Sequence, residues 1–470
     1  MNIFEKYIES DADRIHRWVL LFVAITLFAT LNDASLWLDE VATVSASGLV
    51  DFKSGFIEAF HDGQMPFVYF SIFVSRLLFG SNEFASRLPI VLFALGFLWV
   101  LPRLYRQAGY KPILATVAAV LLAFHGKFIF YAQDARFHMP GVCALFIWAA
   151  YRKSGSWKSF SACLIALFTH TFSVITVGAT LGIDIFSEWY FEKKSFKELF
   201  LKYAPNFTAL LLFSPAYLFL ITLMRKSRLQ GVGITDFTQQ VFSSLEIIKN
   251  AWLFFFDSRS TIWIVLSLIS IFAIIFRRNS LTNFLLAAVC AVLFQALIFG
   301  FTQQCFFPRY LLLLLPLVIV GSVTLLQLTA LWGKLLVPVI FLSLYFLPHL
   351  SFQIRPWPGV LAQLFPMTAQ ELSTTHKENW RDMTKTLAWL AKPGESIGPS
   401  SDCGGDCSKY PILFYGGNEP VIQSLTWIDR IETCASWIVS THSNLSEVRG
   451  CKEIKPVGNF STLFLYQGKP

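Results

Sequence analysis

The chain has 470 residues, of which 55% are hydrophobic and only 14% charged, with a mean hydropathy of +0.55. Soluble domains carry roughly 25% charged residues, so this composition excludes an ordinary soluble fold and points to an integral membrane protein. The net charge of +8 would suit a nucleic-acid binder in a soluble chain, but here Lys and Arg fall in short clusters between apolar runs, where they set orientation, and no nucleic-acid partner is expected.

Apolar runs near the roughly 20 residues that cross a bilayer as a helix predict an all-α polytopic bundle rather than a barrel. The opening stretch MNIFEKYIESDADRIHRWVLLFVAITLFATL has a charged, amphipathic lead and no small-residue cleavage pattern, so it reads as an uncleaved first span. Candidate spans are 17–36, 88–107, 112–130, 137–151, 158–173, 174–190, 206–224, 261–276, 281–300, 310–331 and 335–350, about eleven transmembrane helices. If the first runs outward, Arg103, Arg106 and Lys111 fall inside, as do Arg152, Lys153 and Lys158. The same holds for Lys193, Lys194, Lys197 and Lys202, for Arg277 and Arg278, and for Lys334, as the positive-inside rule requires. MRKSR at 224–228 stands outside on this count, through a miscounted span or as a phosphate-attracting cluster.

The transmembrane domain is placed at 1–350, with a first outer loop at about 37–87. Within that loop PFVYFSIFVSRLLFG is short for a span and carries Arg76, which suits a helix lying at the interface. An odd number of spans sends residues 351–470 to the outer side, where turn signals such as RPWPG, KPGES and YGGNEP mark a second, soluble domain. NWRDMTKTLAWLAKPGESI predicts an amphipathic helix with Trp380, Met383, Leu387 and Leu390 on one face, closed by Pro-Gly and followed by a strand. YPILFYGG and FSTLFLYQG also read as strands, giving a small α/β fold. Cys403, Cys407, Cys434 and Cys451 crowd this domain and suggest two disulfides, with three pairings open. A zinc site is the alternative, but CGGDC lacks a paired CxxC or a nearby histidine pattern. Cys143, Cys163, Cys290 and Cys305 sit in or beside spans and read as small hydrophobes.

LWLDE sets Asp39 and Glu40 where the first apolar run should leave the membrane. Hydrated charges at a span end are ordinary. Their company is less so: His61, Asp62, Asp134, Arg136, His170 and Arg309 all fall at the outer ends of the predicted spans. Carboxylates and guanidiniums held at one depth suggest a site for a phosphorylated ligand.

In order, LWLDE, DGQMPFVYF…LLFGSNEFASRLP, YAQDARFHM, FTHTF, PRYLLLLLPL and NWRDMTKTLAWLAKPGE resemble the bacterial membrane glycosyltransferases related to the aminoarabinose transferase of lipid A and to protein O-mannosyltransferases. The resemblance covers most of the chain. It implies the C-type glycosyltransferase fold, a polyprenyl-phosphate-linked sugar as donor, and an envelope lipid, glycan or protein as acceptor. It also implies a bacterial inner membrane, with the N-terminus cytoplasmic and the C-terminal domain periplasmic. By the same resemblance Asp39 is the catalytic acid of the DE pair and Arg309 of the RY motif, beside Tyr310, binds the donor phosphate. Two motifs depart from the pattern. Gln64 and Met65 stand where many relatives carry His and Pro, and Asp134 replaces the Glu of Q-E-A-R while keeping the charge.

The chemistry needs only one base, because a lipid phosphate leaves as a stable anion where a glycosidase's leaving alkoxide must be protonated. Asp39 would accept the proton of the acceptor hydroxyl while Arg309, with Arg136, meets the charge on the departing phosphate. Inversion at the anomeric carbon follows from a single displacement. Glu40 would orient Asp39 or touch the acceptor; a divalent metal held by the pair is the alternative, and the resemblance favours a metal-free site without a cofactor. His170 ordinarily reads as a hydrogen-bonded packing residue, and His61 sits three residues before the position of the missing family His. Lys127, near Tyr131, either snorkels to headgroups or touches the donor phosphate. A transporter or lipid-linked sugar flippase is the competing reading, disfavoured because no inverted repeat is evident and the charges gather away from the midplane.

Overall fold

The computed structural model describes residues 3–29, 31, 36, 38–47, 57, 64–123, 126–228, 280–301, 312–313, 380–399, 411–413, 415–416, 419–427, 435–440, 451–460 and 463–469. The predicted spans 261–276 and 335–350 and nearly all of 310–331 lie outside these residues. The chain divides into two compact units, one of residues 1–28, 57–68 and 89–353, the other of 29–56, 69–88 and 354–470. The second unit therefore joins the C-terminal segment to most of the first outer loop, where the sequence placed a boundary at 350 alone.

The helices run α1 (Ile3–Ala29), α2 (Leu38–Ala46), α3 (Phe67–Phe79), α4 (Glu83–Gln107), α5 (Pro112–Ala123), α6 (Gly126–Ala132), α7 (His138–Tyr151), α8 (Trp157–Thr169), α9 (Ser173–Tyr190), α10 (Phe196–Arg228) and α11 (Ser280–Phe301). Several depart from the expected spans. The first helix begins at Ile3 and ends at Ala29 instead of reaching residue 36, and the span expected over 112–130 is carried by two helices either side of residues 124–125. α10 overruns 206–224 at both ends and continues through Pro205 and Pro215. Among the described residues two helices, Glu83–Gln107 and Phe196–Thr222, are long and apolar enough to cross a membrane, with Phe67–Phe79, His138–Tyr151, Trp157–Thr169 and Leu281–Gln295 as shorter apolar helices. α10 exposes Phe200, Leu201, Leu211, Leu212, Leu218 and Phe219, a surface that water would penalise and lipid would not.

Local signals end the helices cleanly. Asn82 caps α4, its Oδ1 accepting from the Ala85 N–H at 2.7 Å. At the other end Gly109 has φ +80°, the Gly109 N–H reaches the Arg106 carbonyl and the Tyr110 N–H the Tyr105 carbonyl. This is a Schellman ending, with the Tyr105 and Tyr110 rings packed edge to face across it.

The first unit is organised around α7, buried along almost its whole length. Asn206 of α10 accepts from Trp148 Nε1 of α7 (2.8 Å) and from Ser159 Oγ of α8 (2.9 Å), and donates to the Arg152 carbonyl (2.9 Å). Beneath it lies a charge network. Arg152 Nε donates to Asp184 of α9 at 2.7 Å with both side chains fully buried, and Asn283 of α11 donates to the other Asp184 oxygen. Four residues on, Glu188 accepts from Lys153, Lys194, Lys202 and Tyr203. The lysines that the sequence reading assigned to orientation thus also close a lock between α7, α9 and α10. Asp184→Ala is expected to cost about 3–5 kcal/mol, because it leaves the Arg152 guanidinium buried without its counter-charge. Unfolding of the detergent-solubilised protein measures this, and a loss below about 1 kcal/mol would mean the network adds nothing net.

In the second unit, α12 (Trp380–Leu390) precedes β1 (Ser396–Pro399), followed by α13 (Pro420–Ser424), β2 (Thr426–Trp427), β3 (Trp437–Ser440), β4 (Glu453–Phe460) and β5 (Leu463–Lys469). The sheet order is β2-β1-β3-β5-β4. β1 pairs in parallel with β2 and β3, while β5 pairs antiparallel with β3 and β4. α12 turns Trp380, Met383 and Leu387 onto a core of Ile397, Trp437, Val439 and Leu465, as its helical spacing requires, while Leu390 is partly buried. YPILFYGG, expected as a strand, is helical over 411–413 and 415–416. Ile412 fills the core, so packing overrides the strand-like composition. Cys451 is disulfide-bonded; Cys403, Cys407 and Cys434 lie outside the described residues.

Candidate functional site

α2 begins at Leu38, so Asp39 and Glu40 occupy its first turn, where the helix dipole favours anions. Glu40 is fully buried and paired side-on with Arg87 of α4. Arg87 Nε donates to one carboxylate oxygen and Nη2 to the other, both at 2.8 Å, with side chains 2% and 0% exposed. The remaining guanidinium nitrogen donates to the Leu31 carbonyl at 3.0 Å. A planar fork meeting a carboxylate in this way fixes distance and rotation together. The far end of α2 is held by a second arginine: Arg76 of α3 donates to the Val44 carbonyl at 3.0 Å, satisfying one of the last-turn carbonyls that a helix cannot pair itself. Burial pulls Arg76 down to about 10, which leaves it charged at neutral pH.

The same unit braces the chain leading into α2. The Leu36 N–H donates to the Tyr415 hydroxyl, and burial, with Glu83 nearby, pushes that phenol well above the ordinary tyrosine range, so it stays protonated. Arg381 of α12 donates to Glu83 at the start of α4, Nε to carboxylate at 2.8 Å. Arg87 and Tyr415 carry no role in the sequence reading, and Arg76 only that of marking an interfacial helix. Arg87 lies inside the quoted stretch LLFGSNEFASRLP, and the available signal was a cation one turn into α4, directly before the uncharged run from Leu88 to Pro102.

In the first unit the structure brings together YAQDARFH and FTHTF. His170 follows α8 in an extended conformation, and its Nδ1 accepts from the Phe172 N–H at 3.2 Å. Its ring lies 5.4 Å from that of Phe137 and 5.9 Å from that of His138. Gly141 makes this approach feasible: a Cβ there would fall 2.7 Å from His170 Cβ. Asp134 is 1% exposed, its carbonyl accepting from the Arg136 N–H at 2.6 Å, and the Arg136 guanidinium lies 4.9 Å from the Phe137 ring centre. Tyr131 is buried and packs edge-on to Phe130. Gln64, at the position where relatives carry His, is half-buried, and its Oε1 has no hydrogen-bond partner among the described residues.

Lys127 belongs to α6. His61, Asp62, Arg309 and Tyr310 lie outside the described residues; Leu312 and Leu313, just beyond the RY motif, form a short turn.

No protein-family model matches the chain, and no curated protein matches it. Similar solved structures include ArnT from Cupriavidus metallidurans bound to undecaprenyl phosphate, at 14% identity over 96% of this chain and 97% of that one, with a TM-score of 0.49. The same protein in the apo state gives 14% identity, the same coverage and a TM-score of 0.48. The Archaeoglobus fulgidus oligosaccharyltransferase in complex with Zn and sulfate gives 10% identity over 90% of this chain and 67% of that one, with a TM-score of 0.44.

Proposed function

We propose that the chain is an integral membrane glycosyltransferase that moves a sugar from a polyprenyl-phosphate donor to a hydroxyl of an envelope lipid, glycan or protein on the outer face of a bacterial inner membrane. The observation that carries this reading is the anchoring of α2. One acid of the DE pair is spent on a buried arginine, which holds the helix that bears the other, Asp39. A carboxylate that must collect a proton at the moment of bond formation benefits from such a fixed support. The ordered motif series from LWLDE to PRYLLLLLPL supports the same reading by resemblance.

In the proposed reaction the acceptor hydroxyl oxygen forms a bond to the anomeric carbon while its proton passes to the Asp39 carboxylate. The bond from that carbon to the phosphate oxygen breaks, and the lipid phosphate leaves as an anion stabilised by Arg309, with Arg136 and Lys127 as further candidates. A metal bridging Asp39 and Glu40 fits the donor set poorly. Both Glu40 oxygens already accept from Arg87, so a divalent cation there would stand against a buried guanidinium.

The test follows labelled sugar from polyprenyl-phosphate donors in membranes containing the protein. Arg309→Ala is expected to weaken donor binding about 10- to 100-fold, the size of a charge-assisted hydrogen bond to phosphate. Unchanged donor binding would remove Arg309 from the site, and no transfer by the wild type from any donor would bring the flippase reading forward.

A further inference from the structure

Between α7, α9 and α11 in the first unit lies a cavity of about 40 Å³, lined in part by His138, His170, Ser173, Thr176 and Gln295. Its polar lining is unusual for the interior of an apolar helix bundle. Ser173 is 1% exposed and Gln295 5% exposed, yet Ser173 Oγ and Gln295 Nε2 have no hydrogen-bond partner among the described residues. A buried donor left unmatched is destabilising, so two of them at one cavity call for a ligand that matches them. Among the described residues no Lys, Arg, Asp or Glu lines the cavity, so the described lining carries no acidic or strongly basic side chain to pair with a phosphate, a carboxylate or the ammonium of an amino sugar. What it does offer is amide and hydroxyl groups beside the ring of Phe172 and the apolar walls of Val142 and Leu145. That combination of hydrogen-bonding groups and apolar surface suits a carbohydrate edge, with its hydroxyls and its C–H face.

We propose that this cavity is a subsite for the hydroxyls of a neutral glycosyl group, with Gln295 Nε2 donating to one hydroxyl oxygen and Ser173 Oγ bonding to its neighbour. The volume accommodates about three water-sized groups, the extent of a vicinal diol or a hydroxymethyl arm rather than a whole pyranose, so the remainder of the ring stays outside the cavity. The inference rests on the transferase reading for the source of the sugar, the donor lipid, but not for the chemistry of the pocket. Within that reading it narrows the substrate to a neutral sugar.

The experiment uses the full chain in lipid nanodiscs and measures the Kd of polyprenyl phosphate and of the same lipid phosphate carrying glucose, galactose or mannose. Gln295→Leu is expected to weaken binding of the preferred glycosylated lipid about tenfold and Ser173→Ala about threefold. Neither should alter the Kd of the sugar-free lipid. Gln295→Leu removes a donor that no described residue pairs, so its thermal stability should be unchanged or higher, which separates a binding effect from a folding defect. A hexose that adds nothing to wild-type affinity in all three lipids, or an equal loss for sugar-bearing and sugar-free lipid, overturns the subsite. If the wild type binds neither kind of lipid, the transferase reading fails. The methyl glycosides of the same hexoses at millimolar concentration then decide the pocket alone: binding that Gln295→Leu abolishes supports it with a free or acceptor sugar as the source, and no binding overturns it.

Discussion

Asp39→Asn is expected to lower the rate of sugar transfer by 10²- to 10⁴-fold while leaving donor binding intact. That range is what a positioned general base contributes, and it corresponds to roughly 3–5 kcal/mol of barrier. Asparagine keeps the shape and the first-turn position in α2 but cannot accept the proton of the acceptor hydroxyl. The effect should therefore fall on turnover and not on the Kd of the polyprenyl-phosphate sugar. Single-turnover transfer of labelled sugar at matched protein levels, alongside donor titration, makes the distinction. A variant that transfers at the wild-type rate removes Asp39 as the base; one that loses donor binding to the same degree would make Asp39 a donor ligand instead.

Arg87→Leu is expected to destabilise the protein by about 3–5 kcal/mol, because it strands the Glu40 carboxylate, fully buried, without its counter-charge. The pair itself need not be worth that much. Desolvating both ions offsets most of their attraction, so the double variant Glu40→Leu with Arg87→Leu should recover most of the lost stability. Transfer should stay low in both, since α2 has lost the fork that fixes its first turn. Arg87→Lys should fall between, a single ammonium being unable to meet both carboxylate oxygens in the plane that Nε and Nη2 now occupy. Thermal unfolding in detergent together with transfer assays tests the set. A double variant with full stability and full activity would reduce the pair to a replaceable packing element.

The two predictions are linked by the division of labour within the DE dipeptide. Glu40 is buried and neutralised by Arg87, and Asp39 is the acid assigned the chemistry proposed above. Glu40, expected from the sequence to orient Asp39, to touch the acceptor or to hold a divalent metal with it, pairs with Arg87 through both carboxylate oxygens.

The sequence by itself determined what depends on local pattern and composition. The apolar bulk and sparse charge require lipid around much of the chain. The amphipathic spacing of Trp380, Met383 and Leu387, the Pro-Gly stop and the following strand at Ser396–Pro399 were legible because a helix face and its terminator are encoded within about fifteen residues. The apolar run within FSTLFLYQG also read as a strand, and Leu463–Lys469 is β5. Tertiary structure alone decided which charges meet. Glu40 and Arg87 are 47 residues apart, Arg152 and Asp184 32 apart, and no local period links such positions. Lys153, Lys194 and Lys202 looked like topology signals because each sits in a basic cluster, and only the packing of α7, α9 and α10 brings them onto Glu188. YPILFYGG followed the core and not its own composition, and Ser173 and Gln295 carried no sequence signal because an unmatched buried donor exists only once its neighbours are in place. Long-range pairing of polar groups is favoured by the low dielectric of the folded interior, where an unpartnered charge or donor is costly, and that selection acts on space rather than on sequence.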